Sequence, residues 1–213
     1  MNFQLRPAAP ADADRISYLC YLAGQGHVET SVYDLIIPGP YGPTGDRLAV
    51  MERMLTAEMR SWFHHSYYIV ADVGGRTAAS LCAFNKEEGR TRPLLAAFRE
   101  IGWTEDDLMA MGERLEPFVR TEPSVPADAW VVENVGCYEE NRRGGLVNAL
   151  LERAIEKGRE RGYGHMQISV YIGNEPAINA YRKAGFEITE EKRDPGFARV
   201  FGCPGMYRMT MKV

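Results

Sequence analysis

No apolar run in this 213-residue chain approaches the ~20 residues that a membrane-spanning helix needs, which excludes a helical span. The opening stretch MNFQLRPAAPADAD has neither the charged nor the apolar region of a secretory signal, so the expected compartment is the cytoplasm. The four cysteines, Cys20, Cys82, Cys137 and Cys203, are far apart and form no C-x-x-C pair. That fits reduced thiols better than a disulfide framework or a zinc site. None of His27, His64, His65 and His165 has metal-ligand spacing with a second His or Cys, which argues against a structural metal. An excess of one charge is missing as well. A net charge of −4 gives no global field for nucleic acid or an anionic membrane. There is no P-loop signature, which argues against a nucleoside triphosphatase, and no internal repeat or low-complexity tract.

What is present is ordinary globular composition, 45% apolar and 25% charged, in a length that allows one large domain or one domain with an insertion. The chain is organised around Glu133 to Val147, ENVGCYEENRRGGLV. An apolar strand pattern over Ala129 to Cys137 runs into a turn holding Asn141, Arg142, Arg143, Gly144 and Gly145. A helical pattern follows, with Leu146, Leu150, Leu151, Ala154 and Ile155 on one face. Strand, glycine turn and helix point backbone N–H groups and a helix dipole at an anion. Glycine lets a phosphate oxygen approach closely, and the two arginines add forked donors. These residues predict a bound phosphate or pyrophosphate. The alternative is a plain strand-to-helix turn with solvated arginines.

Taken in order, residues 2–6 read as a strand that Pro7 and Pro10 stop. A helix starting at Asp12 or Asp14 carries Ile16, Leu19, Cys20 and Ala23 and ends at Gly24 and Gly26. Residues 27–45 read as an irregular segment. Its apolar groups, Val32, Tyr33, Leu35, Ile36, Ile37 and Tyr41, predict that it is packed or lines a pocket. A helix capped by Asp46 is expected to run to about His64, with Leu48, Met51, Met54, Leu55, Met59 and Phe63 at helical spacing. Tyr67 to Val73 and Thr77 to Phe84 form a hairpin around Gly74-Gly75. Residues 86–126 are a helical insertion between the third and fourth strands, too short to bury a core of their own. Thr104 caps its second helix. After the central helix come a strand, Met166 to Tyr171, and a helix opened by Asn174-Glu175-Pro176 and closed by Gly185. Then follow a strand from Phe186 to Glu191, a loop from Asp194 to Gly205, and a last strand from Met206 to Val213. The expected fold is α/β in composition, or α+β in arrangement: a mixed sheet flanked by helices, as one domain over 1–213.

The run CYEENRRGGLVNALLERAIEKGRERGY resembles the acetyl-CoA-binding motif of the GCN5-related N-acetyltransferase (GNAT) superfamily. Arg142 and Gly145 match that motif, and Val147 stands where the family prefers Gly or Ala. ISVYIGNEPAINAYRKAGFE is similar to the family's next strand and helix, with Asn174, Ala177, Tyr181, Gly185 and Phe186 at the expected positions. QLRPAAPADADRI looks like its opening strand and helix. The resemblance covers residues 2–26 and 127–213 and is weak between them. It implies a splayed mixed sheet with the cofactor wedged between the strand before Arg142 and the strand before Asn174. Backbone groups around Val135 and Cys137 would pair with the pantetheine arm, and Gly136 is the expected site of a bulge. The turn from Arg143 through Gly144, Gly145 and Leu146 to Val147 would hold the pyrophosphate, and Asn174, Ala177 and Tyr181 would meet the cofactor from the second helix.

The implied activity is transfer of an acetyl group from acetyl-CoA to a primary amine, by direct attack in a ternary complex. A lysine-like amine has a pKa of ~10.4 and is protonated at neutral pH, so a base is needed. Glu133 is the candidate, because it lies in the apolar strand WVVENVGC and shares a face with Val131 and Val135. Apolar neighbours raise a carboxylate's pKa. Its alternatives are a solvent-facing position on the sheet or electrostatic capture of a cationic substrate. Tyr181 stands where the family often has a tyrosine that protonates the leaving thiolate; the alternative is a core tyrosine. Asn174 is read first as a helix cap, and Cys137 as a buried small residue rather than a nucleophile. A non-catalytic acyl-CoA sensor is the competing function. The expected partner is a small-molecule or peptide amine, with no nucleic acid, no membrane and no metal; a homodimer is left open. The acceptor pocket is expected from residues 27–45, the insertion and the last loop.

Overall fold

A computed structural model describes residues 2–39, 42 and 45–213, which leaves the expectation for Tyr41 outside the described residues. Strand β1 is Gln4–Pro7 and helix α1 is Ala13–Gln25, closed by Gly26 at φ 63°. A short helix α2, Val32–Ile36, and then α3, Gly45–Leu55, precede the hairpin β2, Tyr68–Val73, and β3, Arg76–Asn85. The inserted helices are α4, Thr91–Glu100, and α5, Glu105–Thr121. Then follow β4, Ala129–Cys137; α6, Leu146–Glu160; β5, His165–Tyr171; α7, Glu175–Lys183; β6, Glu187–Arg193; α8, Pro195–Phe201; and β7, Gly205–Lys212. The strands form one seven-stranded sheet in the order β1-β2-β3-β4-β5-β7-β6. Its neighbours are antiparallel except β4 and β5, which run parallel. This is the mixed sheet that the strand and helix pattern predicts. Among the described residues no helix is long and apolar enough to cross a membrane.

Both faces of the sheet are covered. One face packs Val70, Cys82 and Val131 against α1 and α3 to α5. The other packs Leu81, Trp130, Val132 and Ile168 against Leu146, Leu150, Leu151 and Ala154 of α6 and Ile178 of α7. Each such fully buried leucine stabilises by roughly 1.5–3 kcal/mol, which fixes α6, and with it the turn at its start, against the sheet. A smaller cluster joins α5, α8 and β5 through Phe118, Phe197, Phe201 and Tyr171.

Three expectations are corrected here. The helix capped near Asp46 ends at Leu55, well before His64. The amides of Glu58 and Met59 donate instead to the two oxygens of Glu100 on α4, at 2.7 and 2.8 Å. A tertiary carboxylate thus outcompetes helix continuation, and Met59 is left exposed. The segment 27–45 holds α2, opened by a capping box in which Ser31 accepts from Tyr33 and Asp34 accepts from the Ser31 amide. Likewise the stretch from Asp194 to Gly205 contains α8, where Asp194 accepts from the Phe197 amide at 2.8 Å and Pro195 opens the helix. Both caps are of the Ser/Asp kind that sequence reading uses, but the helices behind them are one or two turns long and show little periodicity.

The N-terminal elements are locked by a buried carboxylate. Asp12 accepts two bonds from Arg6, at 2.7 and 2.8 Å, one from the Thr77 hydroxyl at 2.7 Å and one from the Ala9 amide at 2.8 Å. Arg6 also reaches Asp72 on β2. These bonds, led by Arg6, hold the Asp12 carboxyl well below the usual carboxylate range. Its stabilising contribution is therefore complete above the unfolded value of ~3.9 and is lost as pH falls through the lower folded value. Asp12→Ala strands these donors. It should cost about 2–4 kcal/mol in urea unfolding at neutral pH; an unchanged midpoint would show that the clamp contributes nothing.

Candidate active site

The site begins where a ladder ends. β4 and β5 pair from Ala129–His165 to Val132–Ile168, and no β5 partner follows for Glu133 onward. The parting coincides with a bulge. On the β3 side, Cys82 faces Glu133 and Ser80 faces Gly136, so β4 carries an extra residue between them. Asn134 sits in that stretch at φ 51°, one of two non-glycine residues in the left-handed region among the described residues. Asparagine tolerates that conformation better than most residues. Its side chain is held from both ends: Tyr33 donates to Oδ1 at 2.8 Å, and Nδ2 donates to the Tyr68 hydroxyl at 3.0 Å. Both tyrosines are buried.

The bulge is therefore at Asn134 and not at Gly136. Gly136 has a different reason to be glycine. A Cβ there would lie 2.6 Å from the Leu19 carbonyl oxygen, so its hydrogen side is what lets α1 lie against the strand. The bulge also changes which faces β4 presents. Val131 packs on the α1 face, whereas Val135 packs on the α6 face. Glu133 thus shares a face with Val131 but not with Val135, because the extra residue reverses the alternation between them.

Between the parted strands lies a cleft of about 410 Å³. It is lined by Glu133, Val135 and Cys137 from β4, Arg142 and Val147 around the turn, and Asn174, Ala177 and Tyr181 at α7. Those expected residues come together on one cavity. Arg143, Gly144, Gly145 and Leu146 belong to the turn beside Arg142 but do not line the cavity wall. Leu146 is buried in the core, so its backbone alone can serve a ligand there. Arg143 and Gly145 have positive φ, 63° and 82°, which coils the turn tightly before α6. A Cβ on Gly145 would meet nothing within 4 Å, so its surroundings have room for a ligand group. The first amides of α6 have no intrahelical acceptor and lie at the positive end of the helix dipole. Asn174 caps α7 as expected, accepting from the Ala177 amide at 3.4 Å.

Glu133 and Tyr181 face the cleft from different layers, Glu133 on the α1 side of the sheet and Tyr181 on α7 in the other. The Glu133 carboxyl is pushed up to about 8, first by desolvation against the apolar walls and then by the charge of Glu122. Burial, with a smaller push from Glu133, raises the Tyr181 phenol well above its ordinary value, so it keeps its proton at any working pH. Tyr171 also lines the cleft, but its hydroxyl donates to the Gly24 carbonyl at 2.9 Å, which pins the end of α1 over β5. Burial pushes the Cys137 thiol up, which fits a wall residue rather than a nucleophile.

Val32 of α2, Phe118 of α5 and Met206 of β7, with His27 after α1, also line the cleft. His27, Val32 and Phe118 come from segments expected to form the acceptor pocket, whereas Met206 belongs to the last strand. Asn134, Phe118, Tyr171 and Met206 were not singled out from the sequence. The available signal for Asn134 was an asparagine, the residue type most at ease with positive φ, inside an apolar strand run. The others read as ordinary core residues and carry no local sign of a cleft.

A family model described as the acetyltransferase (GNAT) family matches residues 32–186. Streptothricin acetyltransferase of Streptomyces lavendulae is 32% identical over 110 residues, 44% of this chain and 57% of that protein. Mycothiol acetyltransferase of Corynebacterium aurimucosum is 30% identical over 99 residues, 46% of this chain and 27% of that protein. The matches thus span about half of one relative and a quarter of the other. Among solved structures, an N-acetyltransferase from Staphylococcus aureus Mu50 has the same fold, with a TM-score of 0.71 at 16% identity, covering 98% of this chain and 100% of that one. The yncA structure from Salmonella typhimurium, solved with its cofactor acetyl-CoA, gives a TM-score of 0.58 at 16% identity, covering 100% of this chain and 94% of that one.

Proposed function

Because this chain belongs to the acetyltransferase (GNAT) family, we propose that it is a single-domain cytoplasmic enzyme that moves an acetyl group from acetyl-CoA to a primary amine in a ternary complex. The observation that carries the reading is the cleft between β4 and β5, with Glu133 on one side, Tyr181 on the other and the glycine turn at one end. Acetyl-CoA fits the groups present. The unpaired edge of β4 around Val135 and Cys137 offers backbone donors and acceptors to the amides of a pantetheine arm. Arg142, Arg143 and the amides from Gly144 to Val147 offer positive charge and N–H groups to a pyrophosphate. The neighbour solved with acetyl-CoA supports the same cofactor.

Bound acetyl-CoA would supply an activated acetyl group, the C–S bond breaking as the C–N bond to the amine forms. The residues of this chain manage the protons. The ionised Glu133 carboxylate takes a proton from the incoming ammonium, directly or through a water, leaving a neutral amine to attack. The Tyr181 hydroxyl holds a proton for the departing sulfur, whose thiol form has an ordinary pKa near ~8.5. Proton-acceptor strength near 8 suits Glu133 to this task better than an ordinary carboxylate. The two named relatives carry different acceptors in their names, so those names do not choose one for this chain. The competing reading, a non-catalytic acyl-CoA sensor, draws on Val147, which lines the cleft at the helix start where a smaller residue would leave more room. A panel of amines with acetyl-CoA, followed by release of free thiol, separates the two: the sensor reading requires CoA binding and no release on any amine.

Calorimetry with CoA tests the cofactor end. Arg142→Ala removes an exposed cation, and Gly145→Asp sets a carboxylate against the phosphates at a left-handed position, so folding of the second variant is checked by circular dichroism. Both should bind CoA on the order of 10-fold more weakly or worse. Parent-like affinity in both would move the pyrophosphate elsewhere.

Kinetics test the proton managers. Because Glu133 acts ionised and its pKa is raised, kcat/KM should rise with pH through about 8. Glu133→Gln should lower kcat by about 10²–10⁴-fold and abolish that step. Its deficit should shrink toward the amine's own pKa, where the acceptor arrives neutral. Tyr181→Phe should lower kcat with CoA affinity intact. Full activity in the Gln variant would leave Glu133 structural, and a Phe variant that lost only thermal stability would make Tyr181 a core residue.

A further inference from the structure

Strand register sorts the lining of the cleft between the two faces of the sheet. Glu133 is the partner of Cys82 on β3, and Cys82 packs with Val131 on the α1 face. On β5, Gln167 is opposite Val131, so alternation puts Ser169 and Tyr171 on that same face. Ser169 follows the last pair, Val132–Ile168, and Tyr171 stands two residues further, about 7 Å along the strand. Tyr171 is the register partner of Met206 on β7. Phe118 of the inserted helix α5 joins them in one cluster, its ring centroid 6.2 and 6.1 Å from those of Phe197 and Phe201. Val32 of α2 packs on the same cluster. Two contacts dock α5 there: Arg114 donates to the Leu35 carbonyl at 2.7 Å, and Arg120 pairs with Asp194 at 3.1 Å. By contrast Val135, Cys137, Val147, Ala177 and Tyr181 pack on the α6 face. The cleft is lined from both faces, and Glu133 is the one carboxylate among the described residues that line it.

We infer that the wall of Phe118, Tyr171, Met206 and Val32 is the acceptor subsite, with Phe118 setting its specificity for a primary amine that carries one positive charge and an apolar body, aryl or alkyl. The ammonium meets Glu133 and the body lies on the wall, on the sheet face opposite the one that Val135 and Tyr181 share. This rests on the acetyl-transfer reading for the reacting amine, while binding of the body has its own readout. An apolar body gains by leaving water for this wall. A second ammonium at the far end of the body would lose its water with no carboxylate to pair with, which is the costly arrangement. The insertion thereby sets specificity, while the proposed catalytic pair belongs to the sheet and α7.

The test sets hexylamine and phenethylamine against ethylamine, and hexylamine against hexamethylenediamine, the same chain with a second charge. The parent should prefer the apolar amines over ethylamine, and hexylamine over the diamine, each by on the order of 10-fold in kcat/KM and mainly through KM. Phe118→Ala should lose most of the first preference, and Phe118→Leu, which keeps apolar contact, should retain part of it. Phe118→Ala also removes packing on Phe197 and Phe201, so melting temperatures are compared, and Val32→Asp supplies a variant that leaves these rings in place. An acid suits the first turn of α2, where Val32 stands, and this one should turn the second preference toward the diamine. Calorimetry of the same amines into the CoA-saturated protein reads the wall without turnover. Binding that follows these orders with no acetyl transfer would keep the inference and sink the transferase reading. Turnover with the same preferences in the parent and all three variants would overturn the inference and leave that reading standing. A parent that shows no preference for the apolar amines, or that favours the diamine, would also overturn it.

Discussion

Parallel strands β4 and β5 hold each other only as far as Val132 and Ile168, and the rest of the molecule is arranged to keep them apart beyond that point. An unpaired strand edge inside a protein is costly, because each buried N–H or C=O without a partner loses about 1–3 kcal/mol. The chain meets this in two ways. Asn134 bulges out of the β3 ladder and is fastened by Tyr33 and Tyr68, so the direction of β4 after Glu133 is fixed by buried hydrogen bonds. The gap then opens to solvent as a cleft, where water or a ligand's amides can satisfy the edge. In the proposed reaction the pantetheine arm takes the place that a continued β5 would have had.

The same parting sorts the charges. Arg142, Arg143 and the N-terminus of α6 sit at the glycine turn, and Glu133 lies where β4 leaves β5. In the proposed reaction a phosphate-bearing cofactor would be drawn to the turn and a cationic acceptor toward Glu133, so electrostatics would orient both before any close contact forms. Desolvation dominates at Glu133, since its pKa rises despite the openness of the cleft, and a bound ligand that expels water deepens the effect. Glu133 and Tyr181, the side chains proposed to handle protons, come from different layers of the fold. That is why the bulge matters to chemistry: without the extra residue at Asn134, Val135 would return to the α1 face instead of the α6 face on which Tyr181 stands.

Much of this was legible in the residues. The turn ENRRGG before an amphipathic helix, the Asn174-Glu175-Pro176 start and the hairpin around Gly74-Gly75 are local signals, and each element formed where its signal lies. The residues expected at the cleft lie on it or on the adjoining turn, because strand–turn–helix geometry is set over a few residues. What was not legible depends on contacts distant in sequence. Glu100 ends α3 from forty residues away. Tyr33 holds Asn134 across a separation of 101 residues. Phe118 reaches the cleft because α5 is docked by Arg114 and Arg120, and neither arginine announces its partner. The short helices α2 and α8 escaped because a turn or two of helix gives too little periodicity to read.

The central claim is that the unpaired stretch of β4 beyond Val132 is the cofactor's slot, and amide hydrogen exchange with and without saturating CoA tests it most directly. The account predicts that CoA slows exchange in residues 133–137 and in the turn 143–147, while residues 129–132, already paired with β5, change little. Protection confined to other segments, with both of these unchanged at saturation, would contradict it.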